Sequence, residues 1–137
     1  MPKVLFRESF RARLAPEACT TLRDEFLDWK AGGEYAHYTF GKDAGFSRPK
    51  LAVDESLRHV HMVPLQDLDG LEEWERAFHH RGRKTSNRVL VYTCGLLDSE
   101  CYLLIDLFDE PDGHSLMEDD KLIEELAEVA GRFRDKF

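Results

Sequence analysis

Three histidines of this chain stand at positions from which an imidazole could move a proton. His59 and His61 alternate in the segment LRHVHMV (residues 57–63), and His114 follows the apolar run CYLLIDLF in the sequence EPDGH. An imidazole titrates close to neutral pH, so it can act as a general acid or base. Side chains two positions apart on a strand share a face, which predicts backbones roughly 7 Å apart for His59 and His61. His114 is expected on a loop held by a rigid strand, where catalytic groups are often found.

The same histidines allow simpler interpretations. His59 and His61 could be polar positions on a half-exposed strand, and His114 could be an ordinary loop residue. A metal site is a further alternative, but His59 and His61 would need a third ligand such as His79, His80 or His114. We expect a site without metal or other cofactor.

A basic segment, HHRGRKTSNR (residues 79–88), follows a run of acids between residues 67 and 75. Arg81, Arg83, Lys84 and Arg88 lie in it, and guanidinium groups can bind phosphate oxygens in pairs. The segment is therefore a candidate phosphate-binding loop. The alternative is a solvated loop whose bases are neutralised by the acids beside it.

The elements that would position these side chains follow from the spacing of apolar residues. The pattern predicts a weak strand at 3–9, a helix at 16–31, a long loop at 32–54, a strand at 57–63, a helix at 71–78, strands at 88–94 and 101–108, and an amphipathic C-terminal helix at about 116–135. This order indicates one α+β domain over residues 1–137, with a small antiparallel sheet. Helices are expected on one face of the sheet, leaving the other partly open for His59 and His61.

Charge and apolar content limit the classes of function. The net charge of −8 argues against broad, non-specific attraction to nucleic acid, although a local basic site is compatible with it. The three cysteines have no metal-ligand spacing, and neither a signal peptide nor a membrane-spanning run is apparent. A cytoplasmic protein with no membrane partner is expected.

Six short motifs together carry a resemblance to a known family. They are FGKDA (40–44), HVHM (59–62), LVYTCG (90–95), LLIDLF (103–108), EPDGH (110–114) and FRDKF (133–137). Their order and spacing resemble the YafO family of toxins from bacterial type II toxin–antitoxin pairs. That family is similar to the RelE-like group, which implies a small antiparallel sheet packed against helices. It also implies two partners, messenger RNA on the ribosome and a cognate antitoxin protein.

The resemblance further implies a ribosome-dependent mRNA endoribonuclease (an mRNA interferase), in which the ribose 2′-hydroxyl attacks the neighbouring phosphate without a metal. RelE-like toxins tend to place an arginine on the sheet and a histidine or tyrosine past its last strand. Arg88 and His114 look like those positions, and both are expected to converge on the RNA linkage. Arg81, Arg83 and Lys84 are the RNA-binding candidates. His59 and His61 are further acid–base candidates.

The acidic composition keeps a second hypothesis open. The same fold could serve as a non-catalytic module that binds a protein partner through its sheet and terminal helix.

Overall fold

The computed structural model describes residues 1–137 in full. Its elements are β1 (Lys3–Phe6), α1 (Glu8–Arg11), α2 (Pro16–Gly32), β2 (Phe40–Gly45), α3 (Lys50–Asp54), β3 (Arg58–Met62), α4 (Leu68–His79), β4 (Val89–Cys94), β5 (Cys101–Phe108), α5 (Gly113–Met117) and α6 (Asp120–Lys136). None of these helices combines the length and the apolar character needed to cross a bilayer.

The five strands form one sheet in the order β1-β5-β4-β3-β2. Strand β1 runs parallel to β5, and every other neighbouring pair is antiparallel. Strands β4 and β5 form the predicted hairpin at the centre of the sheet. The predicted α+β class with a small antiparallel sheet and a C-terminal helix is therefore confirmed, with the parallel β1–β5 pair as the one departure within the sheet.

Helices cover both faces of the sheet, whereas the sequence predicted helices on one face. Along β4, Val89 and Val91 point to one face, and Leu90 and Tyr92 point to the other. All four are buried, because each face packs against a different helix. The α6 face is covered by Ile123, Leu126, Ala127, Ala130 and Phe133 of α6, and the α2 face by Phe26 and Trp29 of α2.

The segment predicted as a loop at 32–54 contains two elements, so that prediction is wrong. Strand β2 pairs antiparallel with β3, and its register shifts between Phe40 and Asp43. Only Phe40 and Gly41 of this strand are buried. The strand therefore lacks the alternation of buried apolar and exposed polar residues by which a strand is recognised in a sequence. Helix α3 follows after Pro49.

The predicted C-terminal helix is divided into α5 and α6. Asp119 separates them and caps α6, since its side chain accepts a hydrogen bond from the Leu122 N–H at 3.2 Å. His114 consequently lies within the short helix α5 and not on an extended loop. Helix α6 packs against β4, β5 and α3, and the α6 face opens into a cleft toward β2 and β3.

Candidate active site

One cleft on the α6 face contains all three histidines singled out from the sequence. Its volume is about 350 Å³, and β2, β3, α5 and the β2–α3 connection contribute to its walls. It is lined by Lys42, Gly45, Phe46, Ser47, Arg48, His59, His61, His114, Met117 and Glu118. We call this site the histidine cleft.

Strand alternation on β3 directs two of the histidines into the cleft. Val60 and Met62 are buried in the core of the α2 face, so His59 and His61 project from the opposite side of the strand. Their ring centroids are 5.7 Å apart. The ring of Phe46 lies against His59, with 4.9 Å between centroids. The predicted shared face of the two imidazoles is therefore present.

His61 is held by the backbone of the segment that precedes β4. Its Nδ1 atom lies 2.8 Å from the Ser86 carbonyl oxygen and 3.0 Å from the Ser86 amide nitrogen. The residue is only 4% exposed. Burial lowers the pKa of His61, the hydrogen bond with the Ser86 backbone opposes that shift, and the neighbouring Lys42 and His114 add to it. His61 is therefore mainly neutral at physiological pH.

His59 is the more strongly perturbed imidazole. Burial lowers its pKa to about 4, assisted by the neighbouring His61 and Lys42 and opposed by Asp43. Its Nδ1 atom is buried and has no hydrogen-bond partner in the protein. A neutral imidazole can accept a proton but cannot donate one as an imidazolium would. At physiological pH, His59 is therefore neutral and cannot act as an imidazolium acid.

Two cations that the sequence analysis did not single out also line the cleft. Lys42 on β2 takes part in none of the ion pairs of the structure. Arg48 faces Asp120 at 3.4 Å in an exposed ion pair. Lys42 belongs to the motif FGKDA, but the absence of alternation around it gave no indication of a strand or of the direction of its side chain.

A polar network on the α2 face anchors the strand that carries Lys42. The Tyr92 hydroxyl donates to Asp43 Oδ1 at 2.7 Å, and Arg58 Nη2 donates to Asp43 Oδ2 at 3.2 Å. Lys30 Nζ donates to the Tyr92 hydroxyl at 3.0 Å. Adjacent residues of a strand point to opposite faces. Fixing Asp43 on the α2 face therefore holds Lys42 toward the histidine cleft.

Arg88 lies on the other side of the sheet from His114, which corrects the expectation that they converge. Arg88 precedes Val89, so it shares the α2 face with Leu90, while His114 lines the cleft on the α6 face. The Arg88 Nη1 atom donates to the Val63 carbonyl at 3.2 Å. Arg88 is also mostly buried, with its Nε 3.6 Å from Asp109 Oδ1.

The three RNA-binding candidates of the basic segment before β4 lie in different surroundings. Lys84 is 1% exposed, and its Nζ donates to the Glu34 carbonyl at 2.9 Å beneath helix α4. In this position it cannot contact RNA phosphates, which corrects its assignment as an RNA-binding residue. Arg83 pairs with the Glu34 carboxylate at 3.4 Å, and Arg81 is exposed in the turn after α4. Neither arginine lines the histidine cleft.

The metal alternative receives no support from the arrangement of ligands. His79 and His80 are exposed at the end of α4, outside the cleft. No group of three or more histidine, cysteine, aspartate or glutamate side chains is arranged to hold a metal ion.

A protein-family model described as "Toxin YafO, type II toxin-antitoxin system" matches residues 27–135, well over half of the chain. The chain belongs to the YafO toxin family. Searches among curated proteins and among solved structures returned no match. The span shared with the YafO family contains every residue of the histidine cleft, from Lys42 to Glu118. Membership of a type II toxin–antitoxin family implies a toxin role and a cognate antitoxin as partner.

Proposed function

We propose that this YafO-family toxin is a ribosome-dependent endoribonuclease that cleaves messenger RNA without a metal. The observation that carries the proposal is the histidine cleft itself. Three imidazoles (His59, His61 and His114) and two cations (Lys42 and Arg48) line a single cavity. Proton transfer and stabilisation of a phosphorane require these two kinds of group.

The proposed reaction begins with loss of the proton from the ribose 2′-hydroxyl. The 2′-oxygen attacks the adjacent phosphorus, and the bond from phosphorus to the 5′-oxygen breaks as that oxygen takes up a proton. The products are a 2′,3′-cyclic phosphate and a free 5′-hydroxyl. One group must accept a proton and another must donate one, and each contributes on the order of 10² to 10⁴ in rate.

The environments of the imidazoles suggest how these roles divide. Burial lowers the pKa values of His59 and His61, so both are neutral and able to accept a proton, although a lowered pKa also weakens an imidazole as a base. We assign the base to this pair. His114 is exposed on α5 at the same cleft. We assign to it the role of general acid, which donates a proton to the leaving 5′-oxygen.

The cations would stabilise the negative charge that develops on the phosphorane. Lys42 takes part in no ion pair, so its ammonium group is available to a phosphate. Arg48 would exchange its exposed contact with Asp120 for a phosphate oxygen, and exposed pairs of this kind cost little to break. A phosphate also offers arginine a bidentate geometry.

The net charge supports dependence on the ribosome. A chain with a net charge of −8 attracts free RNA poorly, so positioning must come from another source. A ribosome that presents a single-stranded message would supply that positioning, which is a large part of catalysis in reactions of this type.

The test is induced expression combined with 5′-end mapping of cellular messages. Wild type is expected to arrest growth and to cut translated messages, while naked RNA stays intact. His114→Ala should relieve both effects. His79→Ala is the matched control, since His79 is an exposed histidine outside the cleft. Normal growth during strong production of soluble wild-type protein would refute the proposal.

The second candidate is a non-catalytic module that binds a protein partner. The observation that favours it is the acidic surface, because α6 exposes Glu124, Glu125 and Glu128. It predicts a tight partner without cleavage of messages under any condition, so the same mapping experiment separates the two hypotheses.

A further inference from the structure

A second groove lies on the α2 face, on the opposite side of the sheet from the histidine cleft. Its volume is about 440 Å³, and helix α2 forms one wall. Its apolar lining consists of Leu14, Ala18, Leu22, Met62, Val63, Leu65 and Leu107. Leu65 is 65% exposed at the edge of the groove. We call this site the α2 groove.

The α2 groove carries negative charge at its rim. Glu17 and Glu25 of α2 line it, and neither takes part in an ion pair within the protein. Arg88 is the one cation of the lining, and the negative charges of Asp109, Glu110 and Glu25 all act on it. Carboxylates therefore outnumber cations at the groove, which favours a basic partner.

The spacing of the two glutamates indicates how far apart the basic residues of that partner should lie. Glu17 and Glu25 are eight residues apart on one helix, which corresponds to about 12 Å along its axis. A helix lying in the groove would meet both carboxylates with lysines or arginines about two turns apart. Its apolar stripe would cover the leucine and valine side chains of the groove.

We propose that the α2 groove binds a basic amphipathic helix of the cognate antitoxin. The inference rests on the antitoxin partner of the proposed function and not on RNA cleavage. Binding at this groove leaves the histidine cleft uncovered, because the two sites lie on opposite faces of the sheet. Residues of the cleft therefore do not take part in this interaction.

The test is the affinity of purified toxin variants for the purified cognate antitoxin, measured by calorimetry. The double variant Glu17→Lys/Glu25→Lys and the single variant Leu65→Asp should each raise Kd by at least about tenfold. All three positions are at the surface or partly exposed, so the variants are expected to fold. The wild-type affinity should also fall as salt is raised from about 0.05 M to about 0.5 M.

Matched controls make the same kinds of substitution, leucine to aspartate and glutamate to lysine, outside the α2 groove. Leu97→Asp alters a leucine that is 89% exposed at the tip of the β4–β5 hairpin, and Glu124→Lys reverses a charge on α6. These controls, and the cleft variant Lys42→Ala, should keep Kd within about twofold of wild type. Equal binding by the groove variants, or weakened binding by the cleft variant, would overturn the proposal.

Two further outcomes are informative. A toxin that forms a dimer by itself in sedimentation, and loses it with Leu65→Asp, would assign the groove to a second copy and overturn the antitoxin proposal. Absence of message cleavage in the mapping experiment would refute the proposed function but leave the binding result unaffected, because the calorimetry uses no RNA.

Discussion

Two neighbouring lysines show how differently this fold uses the same residue type. The Lys42 amide donates to the Lys84 carbonyl at 2.9 Å, so their backbones are in direct contact. The side chain of Lys84 is buried beneath α4, bonded to the Glu34 carbonyl and close to the rings of Trp74 and Phe78. That of Lys42 faces the histidine cleft and enters no ion pair.

The comparison shows that pairing and burial separate a structural cation from one that is free to bind a ligand. Lys84 lies in the most basic segment of the chain, yet its charge is used to bond a backbone carbonyl inside the protein. Lys42 lies in a segment with no cluster of bases, yet it adds positive charge to a cleft with three imidazoles. A local density of bases is therefore a poor guide to which cations stay unpaired.

The largest expected effect is on activity at Lys42. Under the proposed function, Lys42→Ala should lower the rate of message cleavage on the ribosome by about 10² to 10³, because one preorganised cation is lost from the phosphorane. The free energy of unfolding of this variant should differ from that of wild type by less than about 0.5 kcal/mol, since the Lys42 side chain takes part in no ion pair or hydrogen bond within the protein. Lys121→Ala, on the exposed surface of α6, is the matched control and should cleave like wild type. A Lys42→Ala variant that cleaves messages like wild type would contradict the comparison of the two lysines.

Lys84 should behave in the opposite way. Lys84→Ala is expected to lower the free energy of unfolding by about 2 to 4 kcal/mol, because it leaves a cavity and an unpaired carbonyl at Glu34. Urea denaturation measures this loss. Lys84→Met keeps the aliphatic stem and should recover part of it. Equal stability of Lys84→Ala and wild type would show that the buried lysine does not support the fold.

The buried imidazole of the cleft predicts a loss of stability in acid. The pKa of His59 is about 4 in the folded protein, against an ordinary value of 6.5. Between these values the unfolded chain binds a proton that the native state does not, so the free energy of unfolding falls as pH decreases from 6.5 toward 4. The loss attributable to His59 should be about 2 kcal/mol, after allowance for the partial exposure of its ring. Above pH 6.5 this contribution is constant.

Replacing the imidazole tests this assignment. His59→Gln should flatten the dependence between pH 6.5 and 4, and urea denaturation at several pH values measures the slope. The lowered pKa of His61 acts in the same direction, so a smaller slope should remain. A slope unchanged by His59→Gln would place the titrating group elsewhere.

The smallest effect is expected at the anchor of the strand that carries Lys42. Tyr92→Phe removes the hydroxyl that donates to Asp43 and should cost about 1 to 2 kcal/mol of unfolding free energy. Tyr102→Phe is the matched control on β5, since the bonds of the network run to Tyr92 and not to Tyr102. It should change stability by less than about 0.5 kcal/mol. Equal losses of unfolding free energy in Tyr92→Phe and Tyr102→Phe would show that the Tyr92 hydroxyl does not anchor the strand.

Short-range patterns in the sequence predicted much of the fold and part of the site. The spacing of Leu22, Phe26 and Trp29 predicted α2, and alternation on β3 predicted that His59 and His61 share a face. These patterns succeed because burial on one side of an element repeats with the period of that element. Strand β2 lacks such a repeat, since its pairing with β3 shifts register and only two of its residues are buried. No local pattern could have revealed it.

The amino-acid sequence by itself determined the α+β order of elements, the pairing of imidazoles on β3 and the motifs of the YafO family. These depend on residue type and on spacing over a few positions. Tertiary structure alone decided which cations are free, since it buried Lys84 under α4 and directed Lys42 into the cleft. It also put Arg88 on the face opposite His114. Ion pairing and solvent exposure arise from contacts between residues far apart in the chain, so they follow from how the helices and strands pack.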